Sequence, residues 1–261
     1  MRHTQQVSRR AGSARPLALA LLIAACTFSS ARASGLDDLR KALEGLRGTV
    51  PVKVSLTAQV STVSRDDDDR VINANGAATL TVEDGPQGLR LAYPRDIIVK
   101  AMAEGAGRQS DSAAPIPTRN ALNELDYADV HSMVHAAETL LVRLEGAKLK
   151  AERIEAWNGK PARLLSLDLT VPKNQRFVDK QSSTLDIWID EAGRPLASRS
   201  QSMSKGSAFL VVTFESKGRE DRVYGVFGDR LLVTRRDSSG SGSGAGQSGE
   251  TKATVTLQPL P

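Results

Sequence analysis

The sequence predicts an α+β protein: one large curved antiparallel sheet of about ten strands, an incomplete β-barrel, with an N-terminal helix and a helical insertion covering the concave face. Three observations carry that prediction. Apolar and polar residues alternate with period two over most of the chain beyond residue 51, the mark of strands with one wet face. The turns between the first strands are too short for parallel crossovers, so neighbours run antiparallel. The period becomes helical in only two places, after Ser34 and within residues 95–146. A sheet of this length curls, and helices must cover its apolar face.

Residues 1–33 read as an export signal. Arg2, Arg9, Arg10 and Arg15 make a basic start with no acid, and Leu17 to Ala25 is an unbroken apolar run. At ~1.5 Å per helical residue that run is too short for a ~30 Å bilayer core. Ala31-Arg32-Ala33 then offers a small-x-small cleavage site before Ser34. A second route competes: Ile23-Ala24-Ala25-Cys26 fits a lipobox, in which Cys26 becomes the lipidated first residue. The first route leaves a periplasmic protein. The second makes an outer-membrane lipoprotein, whose membrane contact runs through Cys26 alone.

Charge changes with the signal. The whole chain carries 35 Lys+Arg against 30 Asp+Glu, with a pI near 9.5. Five arginines and no acid lie in the first 33 residues, so residues 34–261 are neutral overall. The high pI therefore gives no reason to expect a nucleic-acid partner. Cys26 is the sole cysteine, so the remaining single β-rich domain has neither disulfide nor thiolate pair.

The elements follow in order. Ser34 caps a helix with Leu36, Leu39, Leu43 and Leu46 on one stripe, closed by Gly48 and Pro51. Val52, Val54, Leu56, Ala58 and Val60 alternate as a first strand; Asp66 to Asp69 form a charged hairpin tip. Strands through Leu80 and Val82, then Leu89 and Leu91, complete a meander that ends at Pro94. In the insertion, residues 95–102 suit a short helix and 105–117 a mobile loop. Residues 121–144 make the strongest helix, with Val130, Val134, Ala137, Leu141 and Leu144 on its apolar stripe. Asn158-Gly159 marks a tight hairpin, and the return strand carries Leu165, Leu167, Leu169 and Val171. Leu185, Ile187 and Ile189 follow, then a polar strand near Arg199, a strand over 208–214, and a hairpin at Gly228-Asp229. Residues 238–249 are nearly pure Gly/Ser and read as a flexible segment before a last strand at Ala253, Val255 and Leu257.

No catalytic constellation stands out, and no enzyme or cofactor is expected. His131 and His135 lie one helical turn apart with Glu138 beyond, a spacing that offers metal ligands. Ser132 stands where a zinc peptidase of the HExxH type carries its glutamate, so the pair reads as exposed and inert, with no metal. No Gly-x-Ser-x-Gly elbow frames a serine, and the Gly-rich stretch lacks the lysine of a phosphate loop. Trp157 and Trp188 suit hairpin packing.

The leucine-spaced helix leading into Val52–Val60, then Gly76-Ala77-Ala78-Thr79-Leu80-Thr81-Val82, Gly88-Leu89-Arg90-Leu91-Ala92-Tyr93-Pro94 and Leu185-Asp186-Ile187-Trp188-Ile189-Asp190 before Gly193-Arg194-Pro195, resembles the periplasmic lipoprotein carriers and outer-membrane lipoprotein-sorting proteins of the LolA/LolB type. The resemblance is one of pattern. It implies a curved, incomplete barrel that holds acyl chains beneath a lid of helices. The expected ligand is a lipid or lipoprotein acyl chain, each CH₂ gaining ~0.8 kcal/mol on leaving water. Leu80, Val82, Leu89, Leu91, Leu167, Leu169, Ile187 and Ile189 would line the cavity, and Val130, Val134, Leu141 and Leu144 would form the lid. The alternative is a non-enzymatic scaffold or sensor that binds an envelope protein, its inward residues interlocked as a dry core.

Overall fold

A computed structural model describes residues 34–65, 70–171, 177–208 and 212–260. The expected export signal with Cys26, and the Asp66–Asp69 run, lie outside the described residues. Helix α1 (Gly35–Glu44) starts where the sequence places it. The Ser34 hydroxyl accepts from the Asp37 amide, and Asp37 and Asp38 sit at the positive end of the helix dipole. Its leucine stripe, Leu36, Leu39 and Leu43, is buried.

Ten strands then form one antiparallel sheet: β1 (Val52–Arg65), β2 (Val71–Gly85), β3 (Gly88–Ala92), β4 (Lys148–Ile154), β5 (Arg163–Asp168), β6 (Val178–Ile189), β7 (Pro195–Ala208), β8 (Val212–Phe227), β9 (Arg230–Gly244) and β10 (Gln247–Pro259). Their order is β3-β2-β1-β10-β9-β8-β7-β6-β5-β4. The last strand returns to pair with the first, Leu56 opposite Leu257 and Ala58 opposite Val255. The sheet stays unclosed, with β3 at one edge and β4 at the other. Both edges are blunted: β3 has five residues, and β4 is exposed throughout and carries Lys148, Lys150, Glu152 and Arg153.

Between those two edges runs the helical insertion: α2 (Arg95–Ser110), α3 (Pro117–Asn123), α4 (Tyr127–Val134) and α5 (Ala136–Arg143). Leaving from one edge and arriving at the other, it crosses the apolar face of the sheet. Val54, Leu56, Leu80, Val82, Leu165, Leu167, Leu185, Ile187 and Val255 on that face share one buried cluster with Val130, Met133, Val134, Leu140 and Leu144 of the helices.

Four local expectations change. Residues 105–110 continue α2 as helix, where a mobile loop is expected from residue 105 on. The single helix over 121–144 is three pieces, because the Asp126 side chain caps α4 by accepting from Asp129 N and His135 (φ −108°, ψ 50°) leaves the helical region. That break rotates α5, so Leu140 enters the core while Leu141 is only half-buried. The strand expected over 208–214 is not one strand: Ala208 ends β7 and pairs with Val212, the first residue of β8, and residues 209–211 lie outside the described residues.

The fourth change concerns residues 238–249, which are strand and turn, not a flexible segment. Ser and Gly alternate from Ser239 to Gly244, serines on the helix-free face and glycines on the other, the same period two found elsewhere. Ala245 (φ 52°) and Gly246 (φ 79°) make a two-residue turn of the kind that matches strand twist. Hydrogen bonds from β8 and β10 hold a stretch with little side-chain surface of its own.

Two outcomes are expected. Amide hydrogen exchange will show Ser239–Gly244 protected like the neighbouring part of β9, and random-coil exchange there would refute the pairing. A Cβ at Gly76 would overlap the Pro117 carbonyl where α3 rests on β2. Gly76→Ala therefore loses about 1–3 kcal/mol in denaturant titration as α3 is pushed off the sheet.

Candidate functional site

The twelve residues expected to line a ligand cavity are brought together. Leu80, Val82, Leu167, Ile187 and Ile189 of the sheet and Val130, Val134 and Leu144 of the helices are each at most 1% exposed. Leu89, Leu91, Leu141 and Leu169 are half-buried against the same cluster. A water-sized space beside the first eight would register as exposed area, so their side chains meet one another. Of the two interiors that the sequence left open, hollow or interlocked, these residues form the interlocked one, with the cover's apolar stripe packed against the sheet. Interiors close-pack wherever chains can reach, and inward alternation alone does not distinguish hollow from filled.

What fixes the cover is polar, and sequence reasoning missed it. Arg222 of β8 and Arg236 of β9 face each other across the ladder, on the helix side of the sheet. Side by side, two such cations require carboxylates. Arg236 Nη2 donates to the Glu124 carbonyl and to its Oε2, both at 2.9 Å, and Nη1 pairs with Asp129 Oδ1 at 2.7 Å. Arg222 Nε donates to Glu220 Oε1 at 2.8 Å and Nη2 to Ser132 Oγ at 3.2 Å. Arg143 of α5 reaches the same Glu220 at 3.6 Å. Burial pushes the Glu124 carboxyl above its ordinary pKa, against the opposing pull of Arg236. At Glu220 burial is the largest influence and acts upward, but Arg222, Arg143 and Arg236 together hold its pKa below the usual value. No alternating pattern surrounds residues 220–237 that would have flagged these arginines as inward.

A third hook lies at the break between α4 and α5. His135 Nε2 stands 3.4 Å from Asp84 Oδ1 of β2, while Asp84 Oδ2 accepts from Arg230 Nη1 at 2.6 Å. His131 and His135 stack with ring centroids 4.5 Å apart, and Glu138 Oε2 is 3.7 Å from His135 Nδ1. The expected exposure of the pair is corrected: all three side chains are half-buried, and their ligand atoms lie within 4.8 Å of one another. Burial lowers the His135 pKa; Asp84 pulls it up, while His131 and Arg230 push it down.

The helix-free face carries an open depression of about 710 Å³, floored by Ser239 and the ends of Gln59, Ser61 and Asn75. Its charges are already matched: Arg199 and Arg219 hold Asp221, Arg235 and Thr254 hold Asp237, and Lys252 pairs with Glu250. Hydrogen bonds from Lys205 and Lys217 bring the Glu215 pKa down to about 2. Such a self-paired, water-facing surface needs no ligand. On the same face, Trp157 and Trp188 pack at 5.1 Å in a small cluster with Leu164 and Ala197, as hairpin packing residues do. No described helix is long and apolar enough to cross a membrane, which says nothing of strands.

Comparisons with protein-family models, curated proteins and solved structures give no match.

Removing one partner of a buried charge cluster strands the others. Arg236→Ala should cost about 3–5 kcal/mol in urea unfolding, because Glu124 and Asp129 lose their cation. The triple change Arg236→Met, Glu124→Gln, Asp129→Asn should restore most of that stability. Equal losses in the two variants would show that packing, not charge, is what Arg236 supplies.

Proposed function

We propose that the chain is an exported envelope protein that binds a hydrophobic ligand, a lipid or the acyl chain of a lipoprotein, between its sheet and its helical cover, with no enzymatic step and no cofactor. One observation carries the reading: the cover is a tether between the two edges of an unclosed sheet, lying on a continuous apolar face. A barrel closed by strands could not open without breaking ladder hydrogen bonds. Here β3 and β4 do not pair, and the helices are held by discrete side-chain hooks at Arg222, Arg236 and Asp84.

Two further features fit. Helix α2 has no buried residue and presents Ile98, Val99 and Met102 to water beside the cover. A cleft of about 640 Å³ lies between Arg108 of α2, Ser112 beyond its end, and the turn-side ends of β9 and β10, with Arg65 and Arg70 also lining it. That size is in the range of small-ligand sites. In this reading the ligand enters there and replaces the stripe Val130, Val134 and Leu144 as the cover lifts.

The second reading is an envelope-protein scaffold, favoured by the filled interior. Native mass spectrometry after incubation with a long-chain fatty acid or a phospholipid separates the two. The carrier reading expects a one-to-one adduct. It also expects faster uptake in Ser132→Ala, which releases a hook from Arg222 without leaving a carboxylate unpaired. Absence of any acyl adduct in both proteins, together with stoichiometric capture of one envelope protein by cross-linking, would replace the carrier with the scaffold.

A further inference from the structure

We propose that His131, His135 and Glu138 form a binding site for a divalent transition-metal ion, zinc in the first instance, that clamps the break between α4 and α5. The argument starts from the two ring nitrogens of His135. Its Nε2 faces Asp84 Oδ1 at 3.4 Å, and Asp84 is buried and committed through its other oxygen to Arg230. A carboxylate accepts, so the proton of a neutral His135 belongs on Nε2. That leaves Nδ1 with a lone pair, and Nδ1 faces Glu138 Oε2 at 3.7 Å. Both atoms then turn lone pairs toward one narrow gap, an arrangement that suits a cation.

The surroundings suit a metal as that cation. His131, one turn earlier and stacked on His135, supplies a third ligand atom within 4.8 Å of the other two. A tetrahedral zinc with bonds of about 2.0–2.1 Å needs ligand atoms about 3.3–3.4 Å apart. The Nδ1–Oε2 pair is close to that already, and a side-chain rotation of half-buried His131 brings in the third. Asp84 then does what carboxylates do behind metal-bound imidazoles: it holds the proton on the distal nitrogen and fixes the ring. Arg230 holds Asp84 in place through its other oxygen. With three protein ligands the ion retains one position for water, and the part-exposed Glu138 leaves it a route from solvent.

The placement gives the ion a structural effect. His131 lies in α4, Glu138 in α5, and His135 is the non-helical residue between them. One ion would therefore hold the two helices at a fixed angle and, through Asp84, fasten that corner to β2. This inference does not depend on whether the protein carries a lipid.

The test uses tag-free full-length protein stripped with a chelator. Titration with zinc alone, followed by calorimetry and elemental analysis, should show one equivalent bound. Cobalt in its place should give the strong visible absorption of tetrahedral coordination. His131→Ala and Glu138→Gln should each weaken binding by on the order of tenfold or more, and Asp84→Asn by about 10–100-fold. Zinc should raise the unfolding temperature of the parent protein but not of His131→Ala, whose circular dichroism should match the parent. No uptake at submillimolar zinc would overturn the proposal, and so would uptake unchanged in both His131→Ala and Glu138→Gln. The stacked pair would then be a packing contact at the helix break, with His135 facing Asp84.

Discussion

Arg222 and Arg236 are the constraint on which the remaining architecture turns. An unclosed sheet with one apolar face must be covered, and apolar contact alone does not specify where a cover sits. Two guanidiniums on neighbouring strands do. They accept only an arrangement that delivers the Glu124 carbonyl, two carboxylates and a serine hydroxyl to fixed points, which sets α3 and α4 over β8 and β9. Pairing of this kind is a weak source of net stability because desolvation cancels much of the attraction. Its value is positional, and it makes the cover a body held by a few directional bonds.

The same logic explains where the helices break. Asp126 ends the α3 connection by capping α4, and His135 interrupts the next turn where Asp84 rises from β2. A continuous helix over 121–144 would be straight and would meet a twisted sheet along one line. Three short segments follow the twist, so Ala121, Leu125, Val130, Met133, Leu140 and Leu144 are all buried though no single stripe contains them.

Much of this was legible in the sequence. Alternation located the strands, and short turns made them antiparallel. The caps at Ser34 and the hairpins at Asn158-Gly159 and Gly228-Asp229 sit where turn chemistry puts them. The inward positions of the candidate site were legible for the same reason. Three things were not. The hairpin at Ala245-Gly246 was hidden because Ser-Gly alternation carries no hydrophobic contrast, although its period is that of a strand. The segmentation of the helix was hidden because helical periodicity over 24 residues survives breaks as short as residues 124–126 and His135. The polar hooks were hidden because Asp84 and Glu124 lie far in sequence from Arg230 and Arg236, and only the folded chain brings them together.

The filled interior bears directly on how a ligand could enter. Fully exposing Val130, Met133, Val134, Leu140 and Leu144 costs about 1.5–3 kcal/mol each, or about 8–15 kcal/mol for the set. A sixteen-carbon chain leaving water gains on the order of 12 kcal/mol. The two quantities nearly cancel, so an open, empty protein would be a rarely visited state and a waiting cavity is not to be expected. In the carrier reading, exchange avoids that high-energy state only if the chain advances over the sheet as the cover withdraws, each methylene replacing a side chain in contact with Leu80, Leu167 or Ile187. Entry from the Gly-rich end meets that condition. The glycines of β9 and β10 leave the covered face low beside α2, and there the cover has least apolar contact to give up.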